Sequence, residues 1–216
     1  MIFSTPELAA LNSISGGRDL PGIRLAVPGF DADKELWASV NESLKNKGII
    51  DETGHLTTMG VVPVRVVELY RTAGTHAYIG RGRVSIDEDG SLTILSPQGD
   101  DWQVIRAQKA VLMVCLLKRF PFLCGKSSPS EHPGAWRPVS YDDWVDSVSE
   151  YGPENVLVAN SVRIGETPTD LMAYGLSQGK GFEYNMSQAR GRRTSVRDMR
   201  VTVARLIGLE RGDDNV

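Results

Sequence analysis

Apolar residues recur along this chain with two periods, and the change from one to the other marks its elements. Leu36, Trp37, Val40 and Leu44 repeat on one face of a helical reading while Lys34, Asn41, Glu42 and Lys45 fall outside, so an amphipathic helix is expected, capped by Asp31 and ended by Gly48. Before it, Ser4 and Glu7 stand at capping-box spacing with Pro6 in the first turn, which predicts a short helix over Ser4–Asn12. After it, a restart at Thr57 or Thr58 leads into Val61–Arg71. Helix is the favoured reading there, although five of its residues are β-branched valines.

From His76 the period falls to two. His76–Gly80, Arg83–Asp87, Ser91–Leu95 and a strand from Trp102 are expected, with Glu88-Asp89-Gly90 as a hairpin turn. Ala107–Phe120 then holds ten apolar residues and is predicted to be a core helix buried on most sides. Lys109 and Lys118-Arg119 bracket it too closely for a membrane span, which needs about 20 apolar residues. The proline-rich stretch 121–138 reads as an exposed link, and Tyr141–Tyr151 as an acidic helix with Trp144 facing in. Asn155–Ile164 alternates as a strand. Leu171–Leu176 and Phe182–Ser187 flank a turn at Gln178–Gly181, and Ser195 caps a helix over Val196–Leu209 that a basic loop from Arg190 enters.

The order of elements repeats: strands feed a helix, then strands feed a helix again. The expected architecture is α+β, one domain over 1–216, with an antiparallel sheet whose helices cover one face. Its two pseudo-symmetric sheet-plus-helix halves are about 1–120 and 139–216, joined by 121–138.

Composition narrows the function classes. The 216 residues carry 24 Lys and Arg against 27 Asp and Glu, a net charge of -3, which argues against a dedicated polyanion binder. MIFSTPELAAL passes directly into helix-like sequence, so neither signal peptide nor membrane anchor is expected, and the cytoplasm is the expected location. The two cysteines, Cys115 and Cys124, sit in apolar company and read as reduced packing residues.

No motif announces a reaction. Gly175–Gly181 has three intervening residues where a phosphate loop needs four, so a turn is the better reading. Gly80–Arg83 lies between strands rather than between a strand and a helix. His55, His76 and His132 lack ligand spacing and read as surface histidines, and Ser140 and Ser161 have no nucleophile elbow. A non-enzymatic protein is expected, with no cofactor and no metal. As an alternative, the passage from Leu44 through Gly48 to Gly60 matches the helix-to-wing order of a winged-helix DNA-binding regulator over residues 31–71.

The favoured surface is at the end of the chain. Met172, Tyr174, Phe182, Tyr184 and Met186 are residue types enriched at interface cores, and Arg190, Arg192 and Arg193 would give them a charged rim. An acidic amphipathic helix would suit such a patch. Tyr184→Asp is then expected to abolish partner capture without unfolding the chain.

The order of words also resembles the EspG family, the cytosolic chaperones of type VII (ESX) secretion. The likeness lies in ELAALNSI, LPGIRL, ESLKNKGIID with the turn ETGHL, and AVLMVCLLKRF, followed by a second sheet-plus-helix half, across most of residues 3–210. The proline-rich middle departs from the family pattern. The resemblance implies a quasi-symmetric α+β fold, no catalysis, and a protein partner with an apolar helical tip, a secreted PE/PPE- or WXG-like substrate kept soluble by its chaperone.

Overall fold

Residue Ser4 begins the first helix as its spacing dictates: its hydroxyl accepts from the Glu7 amide and the Glu7 carboxylate accepts from the Ser4 amide. A computed structural model describes residues 1–25, 34–125, 133–148, 156–163, 167 and 169–209. Among these the fold is α+β with an antiparallel sheet. The chain divides into two compact units, Met1–His76 with Arg81–Ala107, and Ala77–Gly80 with Gln108–Val216. The boundary expected near residue 120 therefore falls at the start of the apolar helix, which belongs to the second unit.

The first unit contains β1 (Ile2–Ser4), α1 (Thr5–Ile14), α2 (Lys34–Asn46), α3 (Thr58–Thr72), the start of β2 (Thr75–Ile79), then β3 (Gly82–Ile86), β4 (Ser91–Gln98) and nearly all of β5 (Asp101–Gln108). Its ladder runs β1-β5-β4-β3. Phe3, Leu8, Leu11, Leu44, Val67 and Tyr70 meet Leu95 and Val104 in one core. The proposed Asp31 cap lies outside the described residues. Thr57 caps α3, and Pro63 lies inside the helix rather than at its start, where it removes the amide that would bond the Met59 carbonyl. The turn before β4 forms at Gly90, with φ +80.

Expected alternation holds only in part in this ladder. Val84 and Leu92 are buried, but so are Ser85 and Thr93 from the opposite side. Thr93 is enclosed with a partner, since the Arg106 guanidinium donates to it and pairs with Asp87 at 2.5 Å, whereas the Ser85 hydroxyl has none among the described residues. His76 is also buried rather than superficial. Its Nε2 donates to the Tyr70 carbonyl at 2.8 Å, and burial outweighs that bond in holding the imidazole below its ordinary pKa.

The second unit contains the rest of β2, α4 (Lys109–Arg119), a 3-10 turn (Pro121–Cys124), β6 (Arg137–Pro138), α5 (Tyr141–Val148), β7 (Leu157–Arg163), β8 (Met172–Ser177), β9 (Lys180–Asn185), β10 (Arg190–Thr194) and α6 (Val196–Leu206). Its ladder runs β2-β7-β8-β9-β10-β6. Three expectations are corrected here. The α4 helix buries only Leu112 and Leu116, while Val111 and Val114 are exposed, because one stripe of an eleven-residue helix suffices to seat it. Cys115 and Cys124 are free and exposed, not packing residues. Residues 121–138 are not wholly a link: the 3-10 turn buries Leu123, and Arg137–Pro138 pairs with β10. Residues 126–132, with His132, lie outside the described residues.

Helices occupy both faces of the β8-β9-β10 ladder. A Cβ built on Gly175 would stand 2.8 Å from Val148 of α5, and one on Gly181 would stand 2.7 Å from Met199 of α6. Gly175 is paired with Phe182, and Gly181 is the residue next to it, so the two glycines face opposite ways.

Candidate functional site: an arginine-bordered aromatic concavity

Strand register decides which of the expected partner-binding residues can act together. Tyr184 pairs with Ala173 and Gly191, whereas Tyr174 pairs with Glu183. Phe182 and Tyr184 therefore share the α5 face, and Met172 and Tyr174 share the other. The eight residues do not form one patch. Tyr174 is wholly buried, and its phenol, which has no hydrogen-bond partner among the described residues, is pushed well above its ordinary pKa by burial and then by the nearby Glu183 charge. Met172 is half-buried beside it, and Arg190 is exposed opposite Pro138.

On the α5 face the apolar cluster consists of Trp144, Val148, Ala173 and Tyr184, with Met186, Tyr141 and Phe182 packed against it. The Tyr184 ring lies 5.4 Å from Trp144 and 5.6 Å from Tyr141, and its hydroxyl donates to the Val139 carbonyl at 3.2 Å. Tyr184 is thus core, contrary to its expected surface role. Tyr184→Asp should cost more than about 3 kcal/mol, since it removes a buried ring and encloses a carboxylate. Loss of the cooperative near-UV circular dichroism transition would report it, and a fully folded variant would count against this placement.

What remains open is a concavity of about 320 Å³ above the cluster. Phe182 and Trp144 form its apolar wall, Gly191 its floor, and Arg137, Arg192 and Arg193 border it. Gly191 is required: a Cβ there would stand 2.8 Å from Trp144 Cδ1 and 3.1 Å from Val139 Cγ1. The basic run expected as a loop is strand β10, and this is what sets alternate residues on opposite faces. Gly191 and Arg193 point with Tyr184 and Phe182; Arg192 lies with Glu183, to which its guanidinium is paired, and 4.4 Å above the Trp136 ring. The Gly134 amide donates to the Arg193 carbonyl at 2.9 Å and ties the 134–138 segment alongside.

Sequence reasoning named Phe182, Arg192 and Arg193 but not Trp144, Arg137 or Gly191 as parts of a site. The words Gly134-Ala135-Trp136-Arg137 join an aromatic and a cation beside a glycine and were the available signal. Chemically, the arrangement offers apolar surface and hydrogen-bond donors. Among the described residues no group of His, Cys, Asp and Glu is placed to hold a metal ion, and no helix is long and apolar enough to cross a membrane.

No curated protein matches the chain. Residues 1–170 match the family described as Domain of unknown function (DUF5081). That span includes Arg137 and Trp144 but ends before β8, so Phe182, Gly191 and Arg193 lie beyond it. With 170 of its 216 residues matched, the chain belongs to the DUF5081 family.

Proposed function

We propose that this protein is a non-enzymatic cytosolic binding protein that shields an apolar helical segment of a partner protein, in the manner of type VII secretion chaperones. The observation that carries the reading is the concavity of the second unit, where Phe182 and Trp144 offer an apolar wall within a border of arginines. Aromatic residues and arginine are the types that dominate the energetics of protein interfaces. The resemblance of the chain's words to the EspG family points the same way and supplies the partner class, a PE/PPE- or WXG-like helical hairpin. For the winged-helix alternative, α3 would have to present polar or basic residues to DNA, but its exposed first turns carry Met59, Val61 and Val62, which suits a protein contact better.

Co-expression with small helical-hairpin proteins encoded beside its gene tests the proposal. One of them should co-elute with the chain on size exclusion. Phe182→Ala combined with Arg193→Glu should weaken that complex at least tenfold without shifting the unfolding midpoint by more than a few degrees. Elution of the chain alone with every such neighbour would remove the chaperone reading.

A further inference from the structure

We infer that the outer face of α3 is a self-association surface, on which a second copy of this chain lays its own α3 antiparallel across a two-fold axis. The inference concerns the first unit and goes beyond the chaperone reading, to which the concavity of the second unit belongs.

Its basis is the spacing of the apolar residues that α3 keeps off its core side. Gly60, Pro63, Val64, Val67 and Tyr70 are the buried positions of the helix. A second apolar row runs beside them, Met59, Val62, Val66 and Leu69, at intervals of three, four and three residues. Those intervals are the a and d positions of a heptad, the seam through which helices pair. Met59 is 73 % and Val62 59 % exposed, while Val66 and Leu69 are half-buried and Val66 packs on the core of the first unit. Single apolar residues scattered over a surface need no explanation, but a continuous row marks a contact. Pro63 is buried on the core side and leaves the row uninterrupted.

Spacing, relief and charge together choose a second copy as the occupant. A 3-4-3 spacing reads the same in both directions, so the row matches itself reversed. Met59 then meets Leu69 of the second copy and Val62 meets its Val66, and each contact occurs twice, as a two-fold interface requires. The relief matches as well: exposure falls along the row, so α3 stands out at its start and sinks toward its end. An antiparallel copy sets its protruding methionine over the recessed leucine, whereas a parallel copy would set methionine on methionine and leave a gap at the other end. On the rim, Arg65 is already paired with Glu68 at 2.7 Å. Two copies therefore bring neutral borders together, and a strongly charged partner finds nothing there to complement. Antiparallel order also places the positive N-terminal end of each helix beside the negative C-terminal end of the other.

The row spans about three helical turns. A contact of that length is smaller than a standard interface of about 1,600 Å², so a dissociation constant on the order of tens of micromolar is expected.

Sedimentation equilibrium of the full chain, over concentrations that bracket that constant, tests the inference. The average mass should rise from the 23.6 kDa of one chain toward twice that value. Met59→Lys with Val62→Lys should weaken the association at least tenfold, and because both side chains are exposed, the urea midpoint of the dilute chain should not move. Direction is read by cross-linking in a background of Cys115→Ser and Cys124→Ser, which removes the exposed native thiols. Under mild oxidation, an equal mixture of Met59→Cys and Leu69→Cys chains should give a covalent heterodimer, and Met59→Cys alone at least tenfold less product. A chain that stays monomeric at every concentration overturns the inference. So does a dimer that Met59→Lys with Val62→Lys leaves intact, or one in which Met59→Cys links to itself as readily as to Leu69→Cys. A chain that is monomeric alone but loses a bound helical neighbour in the same double lysine variant assigns the face to another protein, and overturns it too.

Discussion

Lys47→Met should lower the unfolding free energy by about 1–2 kcal/mol, less than the loss from a fully buried ion pair because the lysine side chain is 38 % exposed while its partner is enclosed. The Glu7 carboxylate is almost completely enclosed, with a side chain 5 % exposed. It is held by both contacts of Lys47 Nζ at 2.7 Å, by the Ser43 hydroxyl at 2.6 Å and by the Ser4 amide at 2.7 Å. One carboxylate thus fastens the start of α1 to the end of α2. Without Lys47 it stays buried with its charge uncompensated. Urea unfolding would measure the loss, and Glu7→Gln in the same background should recover part of it, because a neutral amide needs no counter-charge. A shift under about 0.5 kcal/mol, the ceiling for ordinary surface changes, would mean that the ammonium is solvated like any surface lysine.

This cluster also sets an acid limit. Burial by itself raises the Glu7 pKa, but the hydrogen bonds from Lys47, Ser43 and Ser4 together overcome it and the net shift is downward. A carboxylate depressed in the folded state contributes stability that is present above its unfolded pKa of about 4.3 and is lost as pH falls through the folded value. The depressed His76 acts with the same sign from a higher pH. Its contribution is present above about 6.5 and declines as the unfolded chain binds the proton that the buried ring refuses. The melting temperature should therefore fall in two stages on acidification, below about 6.5 and again below about 4.3. Lys47→Met should diminish the second stage only.

Gly60→Ala should destabilise the first unit by about 2–3 kcal/mol through overpacking against backbone. The glycine is buried in the first turn of α3, and a Cβ there would stand 2.8 Å from the carbonyl carbon of Ile49 and from Leu56 Cδ1, and closer still to the Ile49 oxygen. That carbonyl cannot retreat cheaply, because it accepts from the Thr57 amide at 3.0 Å, while Thr57 Oγ1 caps the Gly60 amide at 2.9 Å. Gly74 supplies the control. Nothing lies within 4 Å of a Cβ placed there, so Gly74→Ala should change stability by no more than about 0.5 kcal/mol. Equal midpoints for the two variants in urea would contradict the close approach of α3 to the 49–57 turn.

Local rules carried far in this chain because local physics was sufficient. The Ser4–Glu7 capping box, the Gly90 turn and the tight turn at Gln178-Gly179, with φ +49 and +72, each formed where short-range sequence placed them. The α+β class followed from the same periodicities, since a change from 3.6 to 2 can be read within a single window. Elements without a period escaped. β1 is three residues long and exists only because Ile2 and Phe3 pair with Gln103 and Trp102, about a hundred positions away. Arg190–Thr194 carries no apolar alternation, and its pairing with β9 makes it a strand.

Side-chain fate depended on tertiary structure more than element type did. The apolar content of α4 indicated a buried helix, yet the number of neighbours available to cover it was a property of the fold and left Val111 and Val114 outside. Register had the same power over the candidate site. From the sequence, Tyr174 and Tyr184 were equivalent aromatics on two strands of one hairpin; a pairing that sets Tyr174 against Glu183 sends them to opposite faces. The sequence by itself determined which residues could make an apolar and cationic surface. Only the packing of α5 onto Gly175 and Gly191 decided that Trp144 and Phe182 would wall it and Tyr184 would lie beneath, because a strand's two faces differ only once something is laid against one of them.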